Sequence, residues 1–213
     1  TSENRVASML THNSGTAATR VAVSYSPFLR GDYNTWNTKR IAEQGDTRTT
    51  TYYNFHNQAI FRLTTSISAG TTRREFWAYD GEGRQILRAS PSAVTGYSES
   101  LPDLVGAEYD EDGYLTSGTH LAANAGRIEG TDYYTETTSG IDEDTPGGVK
   151  GYAASTWTQH GTAGDRILLS ATDYIAHTAG GQAYYFTHSS TEYPTEGSTE
   201  DGRTTTYAYT WHD

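Results

Sequence analysis

Hydrophobic and polar positions alternate in short runs along most of the chain. Residues 47–55 read T-R-T-T-T-Y-Y-N-F, β-formers throughout except Arg48 and Asn54. His56-Asn57-Gln58 then turns the chain, and residues 59–67 return as A-I-F-R-L-T-T-S-I. In the return run Ile60, Arg62, Thr64 and Ser66 alternate with Phe61, Leu63, Thr65 and Ile67. This alternation predicts a strand with Phe61, Leu63 and Ile67 on one face.

A second unit runs from Arg73 through Phe76, Trp77, Ala78, Tyr79 and Asp80, turns at Gly81-Glu82-Gly83, and returns through residues 84–88. Trp77 and Tyr79 share a face of it. Asp80-Gly81 reads as a hairpin turn pair, because Asp and Gly accept the positive φ such a turn requires. A third unit covers residues 106–110 and turns at Glu111-Asp112-Gly113 into Tyr114-Leu115-Thr116. Runs at 131–138, 151–158, 166–177, 182–193 and 203–211 each carry Tyr or Trp and are bounded by Gly, Pro, Asn or Asp. Residues 166–177 also fit an amphipathic helix, with Ile167, Leu168, Ala171, Tyr174 and Ile175 on one face. Their Thr, Ser and Tyr content and β-like surroundings favour strand. Residues 120–125 offer a single helical turn at most. The most loop-like segments are 90–104 and 139–150.

Composition sharpens this picture. The 213 residues include 35 Thr, 18 Ser, 17 Tyr and 22 Gly, but no Cys and two Lys. The apolar fraction is 34%, below the roughly 45–50% of ordinary globular domains counted with Gly. Disordered chains lack aromatic residues, whereas here Phe, Trp and Tyr make up 12% and recur throughout. We therefore expect an all-β chain with thin hydrophobic contacts and many hydroxyls to be hydrogen-bonded.

The missing Cys excludes disulfides, iron–sulfur clusters, Cys-ligated zinc and thiol catalysis. Fifteen basic against 26 acidic residues give a net charge of −11, with no basic run. Nucleic-acid binding draws on Lys and Arg, so no nucleic-acid partner is expected. No stretch approaches the ~20 apolar residues of a membrane helix, and no basic start leads into an apolar signal-like run.

The aromatic-turn-return unit recurs. Tyr79-Asp80 and Tyr109-Asp110 are 30 residues apart, and a degenerate copy at Tyr53-Asn54 precedes the first by 26. Such spacing marks units that cannot bury their own faces and must stack. Tyr79-Asp80-Gly81-Glu82-Gly83-Arg84, followed by Ile86-Leu87, resembles the Y-D-x-x-G-R pattern of YD repeats, found in Rhs proteins, teneurins and insecticidal toxin-complex shells. Tyr109-Asp110-Glu111-Asp112-Gly113 matches the same pattern, with Tyr114 in place of the Arg. Gly202-Arg203-Thr204-Thr205-Thr206-Tyr207-Ala208-Tyr209 is similar to the G-x-T-x-Y-x-Y approach to a further repeat, with Thr210 where Asp is expected.

The resemblance implies antiparallel β-hairpin repeats joined edge to edge into a spiralling sheet, a shell-like wall or a solenoid array. It would cover residues 47–213, leaving 1–46 as a divergent β-rich segment that carries no recognised motif. A lone hairpin is marginal in water, which fits an array. The chain begins with Thr1, and residues 207–213 stop where a strand is expected to turn. We therefore expect a segment of a larger protein, or a subunit whose last strand a neighbour completes. The function expected is structural and non-enzymatic: a scaffold, fibre or shell wall, extracellular or on a bacterial cell surface. Expected partners are copies of itself or adjoining repeats, met through β-edges.

Other chemistry has weaker support. None of the seven His (His12, His56, His120, His160, His177, His188, His212) forms an H-x-x-x-H or H-E-x-x-H pair. Asp110-Glu111-Asp112-Gly113 resembles the start of a calcium loop but lacks its remaining acidic ligands. Asp142-Glu143-Asp144 is a denser acidic cluster, open to weak calcium binding. No nucleophile elbow, Walker loop or dinucleotide fingerprint occurs, and no catalytic residue, metal or cofactor is expected. Paired carboxylates for glycoside chemistry leave no mark in sequence. The alternative function is a carbohydrate-binding β module using exposed Tyr and Trp, and it depends on the exposure of Trp36, Trp77, Trp157 and Trp211. Thr hydroxyls also leave O-glycosylation open.

Overall fold

The computed structural model describes residues 7–11, 19–28, 31–140 and 145–211. Among them the chain is all-β, with fourteen strands and no helix. These are β1 (Ala7–Thr11), β2 (Thr19–Tyr25), β3 (Thr38–Gln44), β4 (Thr47–Tyr53), β5 (Ala59–Ser66), β6 (Thr72–Tyr79) and β7 (Gln85–Ala89). They continue with β8 (Ala107–Tyr109), β9 (Leu115–Gly118), β10 (Arg127–Tyr133), β11 (Ala153–His160), β12 (Ile167–Ala179), β13 (Gln182–Glu192) and β14 (Arg203–Thr206). Twelve strands follow chain order in one large sheet, and β8 and β9 form a separate two-stranded ribbon. Residues 166–177 lie almost wholly within β12, so the strand reading holds over the helical one.

Chain-order pairing explains the Thr content. Neighbouring strands place hydroxyls opposite one another, and cross-strand Thr and Ser pairs are favourable. Thr156 and Ser170 hydroxyls lie 2.7 Å apart and those of Thr191 and Thr204 2.8 Å apart. Tyr hydroxyls reach further, to backbone carbonyls. Tyr79 donates to Ala59 O at 2.8 Å, Tyr134 to Thr172 O at 2.9 Å, Tyr174 to Ala153 O at 2.9 Å and Tyr209 to Thr187 O at 2.7 Å.

The chain divides into two compact units, Thr1–Ile128 with His160–Gly164, and Glu129–Gln159 with Asp165–Asp213. In the first, one sheet face buries Tyr52, Phe61, Phe76, Ala78 and Leu87. The segment after β7 covers it: Tyr97 packs on Tyr52 and Phe61 at ring distances of 5.8 and 5.2 Å. Residues 90–104 were expected to be loop, and they form no strand, but Ala93, Val94 and Leu104 are buried along with Val105. Two facial expectations are corrected. Ile67 is 48% exposed, whereas Ile60, on the opposite parity, is fully buried. A register shift between Tyr52 and Tyr53 breaks the alternation at that end of β5.

In the second unit the buried side chains include Val149, Trp157, Tyr174, Ile175 and Ala176. Gly130 lies beneath Trp157, where a Cβ would stand 2.0 Å from the indole. Trp157 donates to Asp132 at 3.0 Å, and the Arg166 guanidinium stacks 3.7 Å from the ring centre. Two run boundaries differ from expectation: β10 occupies 127–133 rather than 131–138, and β14 ends at Thr206.

Candidate functional site: the Tyr-Asx turns

The recurring Tyr-Asp and Tyr-Asn pairs close three hairpins with one geometry, all in the first unit. Between β6 and β7, Asp80 N donates to Arg84 O at 2.9 Å, and Gly83 N donates to Asp80 O at 3.1 Å. The Asp80 carboxylate accepts the Glu82 and Arg84 amides at 3.0 and 2.8 Å. Between β8 and β9 the same four bonds tie Asp110 to Asp112, Gly113 and Tyr114, at 2.7–3.1 Å. Between β4 and β5 they tie Asn54 to His56, Asn57 and Gln58, at 2.9–3.0 Å. The side-chain oxygen thus takes two amides that the turn would otherwise leave without partners.

The fourth residue of each turn is left-handed: Asn57 at φ 64°, Gly83 at 79° and Gly113 at 82°. This corrects the expectation that Gly81 supplies the positive φ. A two-residue turn would need it there, but the carboxylate bonds to residues two and four places on and moves it to Gly83. Tyr53, Tyr79 and Tyr109 pair with Ala59, Gln85 and Leu115, and each hairpin shifts register just before its tyrosine. Asp80 alone adds the lock of the Y-D-x-x-G-R pattern, with Arg84 Nε 2.6 Å from its second carboxylate oxygen.

One loop that carries no motif gathers two of these turns. Asn34 accepts the Tyr79 amide at 2.7 Å and donates to the Tyr79 carbonyl at 2.8 Å. Asn54 donates to Tyr33 O at 2.8 Å, and Gln58 donates to Gly83 O at 2.8 Å. The Tyr33 ring lies where a Gly83 Cβ would fall, 2.5 Å from it, so this glycine is required twice over. Partial desolvation, then the charges of Asp103 and Asp32, hold the Tyr109 phenol above the ordinary tyrosine range, although the residue as a whole is 38% exposed. The only sequence signal for this loop was the turn-forming run Gly31-Asp32-Tyr33-Asn34.

The third motif lies in the second unit. Gly202 precedes β14, Arg203 opens it, and Arg203 through Thr206 pair with β13 and are exposed. Tyr207 continues the ladder by one bond to His188 O at 2.8 Å. Tyr209 and Trp211 lie over Phe186, with centroids 5.2 and 4.7 Å away, and Trp211 stacks on His177 at 3.9 Å.

Other candidates disperse. Trp36 and Trp157 are each 3% exposed, whereas Trp77 and Trp211 are half-buried. Among the described residues no group of three or more His, Asp or Glu is arranged to hold a metal ion. His12, His212 and the acidic cluster Asp142-Glu143-Asp144 lie outside the described residues. His188 meets Asp173 at 3.0 Å. Among the described residues no helix is long and apolar enough to cross a membrane. Lys39 and Tyr52 bind Glu99 at 2.6 and 2.7 Å. Burial alone would raise the Glu99 pKa, but these bonds and the lysine charge outweigh it and hold it below the usual carboxylate range. Comparison with known protein families, with curated proteins and with solved structures found no match.

Proposed function

We propose that this chain is a structural, non-enzymatic segment of a YD/Rhs-like β-repeat protein, extracellular or displayed on a cell surface, serving as scaffold, fibre or shell wall. The observation that carries the reading is the identity of the three Tyr-Asx turns in hydrogen bonds, left-handed position and register. A turn built by local chemistry at a fixed place in a hairpin is what an array needs, because each copy can be added without changing the others. In this reading the chain-order sheet extends into a spiral or solenoid as hairpins are added. Further repeats or further copies pair at β-edges, and β14 offers one such edge, with Thr204, Thr205 and Thr206 exposed. Electron microscopy of the purified protein tests it. Filaments, shells or elongated particles are expected, and compact monomers at all concentrations would overturn it.

A second reading, a carbohydrate-binding module, is favoured by the aromatic surface of the second unit. There Tyr184 and Tyr207 are 48% and 44% exposed, and the half-buried Phe186, Tyr209 and Trp211 rings pack on one another. A glycan array with the protein and its Trp211→Ala variant separates the two: loss of binding in the variant supports this reading, and an array without hits removes it.

A further inference from the structure

Strand β14 covers only part of β13. It pairs with Ser189, Ser190, Thr191 and Glu192, and one further bond runs from the Tyr207 amide to His188 O. The rest of β13, residues 182–187, pairs with β12 on one side and has no strand on the other among the described residues. Gly180 and Gly181 close the β12–β13 hairpin as a two-residue turn, at φ 60° and 79°. Such a turn makes Ala179 and Gln182 a hydrogen-bonded pair, so Gln182, Tyr184 and Phe186 bond to β12. Ala183 and Tyr185 therefore turn their amides and carbonyls to the open edge. Thr187 follows the same alternation, and its carbonyl takes the Tyr209 hydroxyl at 2.7 Å.

This open stretch lacks the devices that keep strand edges apart. No charged side chain, proline or bulge lies within residues 182–187. Gln182, Ala183 and Tyr184 are exposed, Tyr184 at 48%. The run Q-A-Y-Y-F-T is uncharged and rich in β-formers, the composition of segments that pair with their own kind. Two molecules of net charge −11 repel one another, so an uncharged strip is where they can meet.

We propose that β13 pairs antiparallel with β13 of a second copy, about a two-fold axis at Tyr184. Ala183 of each copy then faces Tyr185 of the other, and each such pair exchanges two backbone bonds. The resulting four bonds use every outward amide and carbonyl of these two residues and leave none over. Tyr184 meets its own copy as a non-hydrogen-bonded pair, with Cα atoms about 4.5 Å apart, where the two rings pack across the strands. Gln182 falls opposite Phe186, so the partner strand ends before His188, where Tyr207 holds the ladder. Only Gly180-Gly181 of the partner's turn come against that corner, and neither has a side chain to clash. A foreign strand would also bond the free amides, but this slot is bounded at the length that the hairpin tip itself fills, and a second copy fits it twice over. The proposal rests on the association of copies through β-edges and names the edge and the register; the Tyr-Asx turns play no part in it.

Sedimentation of the protein up to about 1 mM, the weak end of specific binding, should show a dimer that forms with concentration. Ala183→Pro removes one outward amide and no bond to β12, so it should fold as the parent does and dimerise at least tenfold more weakly. The chain has no cysteine, so Tyr184→Cys carries a single thiol. At the axis two such thiols fall within disulfide reach, and mild oxidation should link the copies. Tyr207→Cys, at a position 44% exposed but off the axis, should link far less. Tyr184→Lys and Tyr184→Glu should each dimerise weakly alone and pair with one another when mixed, because residue 184 meets itself. A monomer throughout, a dimer unchanged by Ala183→Pro, equal linking of the two cysteine variants, or no pairing in the mixture would each overturn the proposal. Filaments or shells that persist in Ala183→Pro would keep the array reading and overturn this pairing. A discrete dimer lost in Ala183→Pro, without longer particles, would keep this pairing and end the array reading.

Discussion

In the first unit β4, β5 and β6 bury Tyr52, Phe61 and Phe76 completely beneath the 90–106 segment. In the second unit β12 and β13 run for thirteen and eleven residues, and within those two strands only Tyr174, Ile175 and Ala176 are buried. Both are Thr- and Tyr-rich antiparallel sheet, so strand composition does not decide which becomes a core. The difference lies in the covering segment. Where Tyr97, Leu104 and Val105 cover the sheet, aromatic rings leave water. In β12 to β14, cohesion comes largely from backbone ladders, hydroxyl bonds and half-exposed rings. Local stability follows buried apolar contact.

The most disruptive test of that contrast is removal of a ring from each unit. Phe61→Ala or Phe76→Ala should cost about 3–5 kcal/mol, the range for a fully buried Phe. Phe186→Ala in β13 should cost well under that, because its ring is half-buried. Urea unfolding measures the costs, and hydrogen exchange should show faster opening in β13 and β14 than in β4 to β6. Equal costs with equal protection would remove the distinction.

Next in size is a tightly packed place in the second unit. The Trp157 indole occupies the space above Gly130. Gly130→Ala should displace it and cost about 1–3 kcal/mol, as overpacking does. The indole N–H resonance, set by the bond to Asp132, should move. An unmoved resonance would mean that this unit yields without loss, making the contrast with the first sharper still.

Smaller effects belong to the turns of the first unit. Asp80→Ala removes the acceptor for two backbone amides and for Arg84, and should cost about 1–3 kcal/mol. Asp110→Ala removes the same backbone pair without the Arg84 lock and should cost less. Asp80→Asn should be nearly neutral, since Asn54 already builds this turn with an amide oxygen. Thermal melts of the three variants give the ranking. An Asp80→Asn loss as large as that of Asp80→Ala would show that charge, rather than the oxygen acceptor, holds the turn.

How much of this was legible follows from the range of the forces involved. The turns were, because one oxygen and one left-handed residue write them locally, and even the degenerate Tyr53-Asn54 copy carries both. Gly81 does not take the positive φ that a two-residue turn would give it, because the Asp80 oxygen spans four residues and places that φ at Gly83. The burial of Ala93, Val94, Leu104 and Val105 left no period to read, since it arises from packing onto strands far away in sequence. Tyr33 and Asn34 were missed for the same reason. The meeting of Arg62 and Arg88 at Glu75 is invisible along the chain, because the three come together only once the register is known.

The smallest effect concerns charge, and it belongs to the first unit alone in its cause. Burial raises the Glu75 pKa, but hydrogen bonds from Arg88 and Arg62, with their charges, outweigh it and hold the carboxyl below the ordinary range. Glu99 is lowered in the same way by Lys39 and Tyr52. A carboxylate with a depressed folded-state pKa stabilises the fold fully above its unfolded value, near 4.3 for Glu. That contribution is lost as pH falls through the folded value. Urea midpoints should therefore decline below about pH 4.5, and Glu75→Gln and Glu99→Gln should each flatten part of the slope. Since both carboxylates attach to β3 to β7 or to the covering segment, the amides that lose protection should be those of β4 to β6. Acid loosening that begins instead in β12 and β13 would show that the sheet without a covering segment is the weaker part even where no depressed carboxylate acts on it.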